Sequence, residues 1–166
     1  MGIIQFQPEF RPALPAVKGP KDYTEFLQRR VQIDSILNVS GLEQEFIKRK
    51  IENTSPEKSC PAPQTLQRAL RYNILLRVTT DSLRDLAMRV ADSPLLQWFT
   101  FTGFVDVAKP VSKSTIERFE KMFEAEEIGR LIHGLNQIMA DEQKAAELLY
   151  QQTALRFDEI SPIQPA

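Results

Sequence analysis

Proline placement constrains this chain more than any other feature of its 166 residues. Pro8, Pro12, Pro15 and Pro20 crowd the beginning, Pro56, Pro61 and Pro63 mark a second break, and Pro162 and Pro165 end it. Each proline removes an amide donor and pushes the residue before it away from helical geometry. Residues 1–21 are therefore expected to form an extended arm. Between the breaks the apolar residues recur with the 3.6-residue period of a helix. The fold class that follows is all-α: a multi-helix bundle over residues 22–157, with 158–166 as a tail.

The helices can be placed one by one. Asp22, with Glu25 three residues on, reads as a capping box, followed by the stripe Tyr23, Phe26, Leu27, Val31, Ile33 and Leu37, with Asn38 and Gly41 suited to its end. A second helix spans 42–52 with Leu42, Phe46, Ile47 and Ile51 inward, and a third spans 64–78 with Leu66, Ala69, Leu70, Ile74 and Leu75. Ser82 and Asp85 cap a fourth, whose Leu83, Leu86, Ala87, Val90 and Ala91 keep the period. Ser93-Pro94 opens a short aromatic helix containing Leu95, Leu96, Trp98 and Phe99, and a turn is expected at 101–104. Ser112 caps the next, with Ile116, Phe119 and Phe123 inward and Glu117 placed to pair with Lys121. The last helix starts near Ala125, with Ile128, Leu131, Ile132, Leu135, Ile138 and Met139 as its buried stripe, extended by Ala145, Leu148 and Leu149; the pattern is lost over 154–160.

Composition narrows the chemistry. With 21 basic and 22 acidic residues the net charge is -1, which excludes wrapping of nucleic acid by bulk charge but not a local basic patch. The charge is unevenly spread. Twelve Lys and Arg against eight Asp and Glu leave residues 1–80 at about +4 and the remainder at about -5, with Arg29-Arg30 and Lys48-Arg49-Lys50 dominating the positive half. One cysteine, Cys60, excludes an internal disulfide, and with the single histidine, His133, it makes no zinc set. His133 is expected to be structural and Cys60 a reduced surface thiol. No Gly-rich phosphate loop, Cys-x-x-Cys pair, His-Glu-x-x-His motif or nucleophile elbow occurs. No apolar run approaches the ~20 residues of a membrane span. The first residues lack a signal-peptide layout, and Phe6 stands where a myristoylation pattern wants Ser or Thr. A cytoplasmic protein with no cofactor of its own is expected.

The positive signal is a helix-turn-helix-like arrangement. In such readers the start of the second helix enters the major groove. The helix opened by Ser112 would present Lys109, Lys113, Ser114, Arg118 and Lys121, although its separation from the 82–91 helix exceeds a standard turn.

Four stretches carry a family resemblance: Leu70-Arg71-Tyr72-Asn73-Ile74-Leu75-Leu76, Asp81-Ser82-Leu83-Arg84-Asp85-Leu86-Ala87, Ser93-Pro94-Leu95-Leu96-Gln97-Trp98-Phe99 and Pro110-Val111-Ser112-Lys113-Ser114-Thr115-Ile116-Glu117-Arg118-Phe119. In order and spacing they resemble the N-terminal domain of bacterial insertion-sequence transposases of the InsH-like type. Ser82, Arg84, Leu86, Phe99, Gly103, Ser114, Thr115, Ile116, Arg118 and Phe119 occupy the family's positions, over roughly residues 65–125.

The resemblance implies a helical domain that binds double-stranded DNA at the element's terminal repeats, with homo-oligomer formation possible. It also implies a following RNase H-like domain, in which three carboxylates hold two Mg2+ ions. Asp158 stands near the expected first carboxylate but is followed by Glu159 and Ile160, not by the Asp-x-Thr pattern, and it receives no catalytic role. The chain is thus expected to be a transposase fragment without catalysis. Arg118, Lys113 and Ser114 are the groove-contact candidates, and Arg71, Arg77 and Arg84 the backbone-contact candidates. The competing expectation is a helical protein–protein interaction or oligomerisation module, with its seam along 128–149.

Overall fold

The computed structural model describes residues 11–16, 18–102 and 111–160, with side chains up to Gln152. Its described residues form seven helices and no strand: α1 (Lys21–Val39), α2 (Leu42–Glu52), α3 (Pro63–Val78), α4 (Leu83–Asp92), α5 (Pro94–Thr100), α6 (Lys113–Lys121) and α7 (Ala125–Ile160). The expected all-α bundle is observed.

Local chemistry explains most boundaries. The Ser82 side chain accepts from the Asp85 amide, that of Ser93 from Leu96, and that of Ser112 from Thr115, so three serines start α4, α5 and α6. Gly41, at φ +72°, makes the sharp corner between α1 and α2, a geometry that costs a β-carbon-bearing residue about 1–2 kcal/mol. Asp22 behaves differently from the expected cap. The N-cap lies two residues earlier, at Pro20, whose carbonyl accepts the amides of Tyr23 and Thr24, and no side chain caps α1. Proline supplies the extended backbone that a cap needs, so Asp22 falls within the first turn.

α3 is the central element and contacts α2, α5, α6 and α7. Leu66, Ala69, Leu70, Tyr72, Ile74 and Leu75 are all buried. α1 packs on α2, α5 and α7, while α4 packs on α5 and α6. Trp98, Phe99 and Phe119 all lie in the core, and the Phe119 ring meets Tyr72 at 5.4 Å. Buried polar links reinforce the packing. Asn73 donates from α3 to the Phe119 carbonyl on α6 at 2.9 Å, and Tyr72 shares a 2.7 Å hydrogen bond with Thr102.

Three expectations about side chains change. Tyr23 is exposed, because it points away from the α1 face that meets its neighbours. His133, expected to be structural, is exposed on α7. α7 also runs on as a helix to Ile160, about 54 Å in all at 1.5 Å per residue. Its Ile128, Leu131 and Leu135 are buried, but Ala145, Leu148 and Leu149 do not extend that stripe: every described side chain from Ala140 onward is exposed.

Candidate nucleic-acid interface

α6 separates its faces cleanly. Ile116 and Phe119 are buried, whereas Lys113, Ser114, Arg118 and Lys121 are exposed. At 100° per residue these four cover an arc of roughly 140°, opposite the buried pair. The packing of α6 on α3 and α4 fixes which face is outward. At the helix start the Ser112 hydroxyl bonds the hydroxyls of Ser114 and Thr115, each at 3.0 Å. The first-turn amides and hydroxyls thus sit beside Lys113, at the end of a helix that favours anions.

The four side chains differ in availability. Arg118 donates to the Thr115 hydroxyl at 3.1 Å, and among the described residues it makes no ion pair. Its fork therefore remains open to a second partner. Lys121 is engaged with Glu117 at 3.0 Å, and that hydrogen bond and charge, with a smaller contribution from Lys113, hold the Glu117 carboxyl below its usual range. Lys121 also opens onto a polar cleft of about 460 Å3 that Lys50 and Lys58 help to line. Lys50, the last residue of the basic run 48–50, and the end of α6, distant in sequence, thereby line one cleft.

The backbone-contact candidates divide. Arg77, near the end of α3, and Arg84, in the first turn of α4, are exposed. Lys109 lies outside the described residues. Arg71 must be withdrawn, because it has no exposed surface and no phosphate can reach it. Its Nε donates to Glu43 at 2.8 Å, and one terminal nitrogen donates to the same carboxylate at 3.1 Å, a bidentate fork. The other terminal nitrogen bonds Asp34 and, at 3.0 Å, the Phe99 carbonyl. Gln67 donates to Glu43 at 3.1 Å. Burial disfavours the charged guanidinium, but Glu43 and Asp34 outweigh it and hold Arg71 above its ordinary range.

Asp34 has a second arginine. Arg11, from the proline-rich arm, meets its carboxylate at 2.5 and 3.2 Å, donates to the Trp98 carbonyl at 3.0 Å and lies 3.8 Å from the Trp98 ring centre. The Phe101 ring, whose backbone has φ 53°, lies near both guanidinium groups, at 4.5 Å from Arg11 and 4.4 Å from Arg71. Phe101, the C-cap of α5, thus adopts a left-handed conformation that favours glycine. Sequence reasoning missed this network. The helix itself carried no signal, because the partners of Arg71 lie on α1, α2 and α5.

Comparison with protein-family models, with curated proteins and with solved structures found no match to the chain.

Proposed function

We propose that this chain is the DNA-binding N-terminal module of an insertion-sequence transposase, that it recognises the terminal repeats of the element, and that α6 is its reading helix. The observation that carries this reading is the outward face of α6: Lys113, Ser114, Arg118 and Lys121 are exposed together behind a serine cap, on a helix anchored by Ile116 and Phe119. Arg118 suits base reading because its planar fork can bond both acceptors of a guanine edge, whereas Lys113 is a point charge suited to phosphate. Arg77, Arg84 and the Lys50–Lys121 cleft supply further phosphate contacts. We assign the module no catalytic step.

Titration of terminal-repeat and scrambled duplexes at two salt concentrations tests the proposal. Arg118→Ala is expected to weaken repeat binding by about 1–3 kcal/mol and relax preference at one base pair. Lys113→Ala is expected to weaken both duplexes alike and lower the salt slope by about one unit. Equal, weak binding of both duplexes by wild type and both variants would sink the reading.

A second reading, a helical interaction module, is favoured by the exposed Leu148 and Tyr150 on α7. Such an interface responds little to salt, so the same titration separates the two.

A further inference from the structure

Away from α6, the side of α1 formed by Phe26, Arg29, Arg30 and Ile33 faces α7 across a cleft of about 910 Å3. The four residues are spaced i, i+3, i+4 and i+7, one stripe of the helix. Val78, at the end of α3, and Met139 of α7 complete the apolar walls. On the rim Gln32 donates to Glu142 at 3.0 Å.

Arg30 is anomalous in this setting. It retains only 5% of its surface, yet among the described residues it makes no hydrogen bond or ion pair, and its Nε is covered without a partner. Its only described stabilising neighbour is the Phe26 ring, 4.6 Å away. Burial, then the charges of Arg29 and Arg89, push the guanidinium below its ordinary range. Arg89 is itself matched by Asp81 at 3.0 Å. A buried cation without an acceptor is costly, and the missing partner is an anion.

The geometry points to a binding site for a small amphiphilic monoanion, an alkyl or aryl carboxylate, whose head is taken by Arg30 and Arg29 and whose apolar body lies against Phe26, Ile33, Val78 and Met139. Two features select this class. Arg29 and Arg30 against Glu142 leave one positive charge on the cleft, which a monoanion neutralises and a dianion overshoots. Phe26, Ile33, Val78 and Met139 suit an apolar body better than a sugar–phosphate backbone, and the cleft volume falls within the ~300–1,000 Å3 of small-molecule sites.

Calorimetric titration of the full chain with decanoate and with decanol, both below micelle-forming concentration, tests the site. Decanoate is expected to bind one per chain and at least about tenfold more tightly than decanol, the effect of a hydrogen bond to a charged group. Arg30→Met is expected to erase that preference without lowering the thermal midpoint, since it removes an unmatched charge and keeps apolar bulk. Arg29→Gln should weaken decanoate binding by a smaller factor. The site is disproved by equal binding of the two ligands to wild type, by no saturable binding, or by undiminished decanoate binding in Arg30→Met. If Arg30→Met fails to fold, the wild-type comparison and Arg29→Gln decide.

Discussion

Arg71 and Arg30 are both arginines with almost no exposed surface, and they differ in what surrounds them. Arg71 has two carboxylates, a carbonyl and the Gln67–Glu43 hydrogen bond beside it, so its charge is matched within the fold. Removing one member strands the others. Arg71→Met should cost about 3–5 kcal/mol, because Asp34 and Glu43 remain buried with too few donors; urea denaturation measures it, and a loss below about 1 kcal/mol would show that water reaches the carboxylates. Tyr72 gives a pH-dependent test. Burial raises its pKa above the ordinary 10.0 despite the hydrogen bond shared with Thr102. The unfolded chain therefore loses the phenolic proton first, so this contribution to stability is complete below about pH 10 and declines as pH rises through the folded pKa. Tyr72→Phe should flatten the alkaline limb of a stability–pH curve, and an unchanged limb would mean that Tyr72 ionises equally in both states. Neither network was legible in sequence: an arginine two residues from Asn73 and three from Ile74 carries no mark of its partners on other helices. The three serine caps were legible, because capping is local and the donor lies within three residues of the acceptor.

α6 illustrates how far periodicity reaches. Ile116 and Phe119 were expected inward and are buried, so the exposed arc followed from the same spacing. Phe119→Ala should cost about 3–5 kcal/mol by chemical denaturation, since the ring is enclosed against Tyr72. Ser112→Ala, which removes the cap on α6, should cost about 1 kcal/mol. The contrast between the two values tests whether α6 is held by packing or by its own helix start. α7 shows the limit of the same reasoning. Its apolar period continues through Leu148 and Leu149, but a stripe is buried only where another element lies opposite it. α1 and α3 cover the first half of α7, and past Ala140 the described side chains remain exposed. Leu148→Glu should therefore change stability by no more than about 0.5 kcal/mol; a larger loss would reveal a packed neighbour.

Taken together, the arm and four of the seven described helices are joined by one buried polar cluster. Arg11, Asp34, Glu43, Arg71 and Phe99 belong to the arm, α1, α2, α3 and α5, and one cluster of hydrogen bonds connects them all. Such a molecule should unfold as one unit: far-UV circular dichroism, strongly helical at the start, and Trp98 fluorescence should give coincident transitions in urea. Separate transitions would mean that the arm and the Trp98 region release before the rest. The all-α architecture could be read from local periodicity, whereas this connectivity could not, because it depends on which helices meet. The arrangement also limits how the gene can drift. Losing the charge at position 34, 43 or 71 alone leaves a buried ion stranded, while exchanging the set for apolar residues of similar volume can be neutral or favourable. Lineages are therefore expected to keep these positions as a block or to replace them in concert, and a library varying them jointly should yield folded members whose single-step intermediates fail.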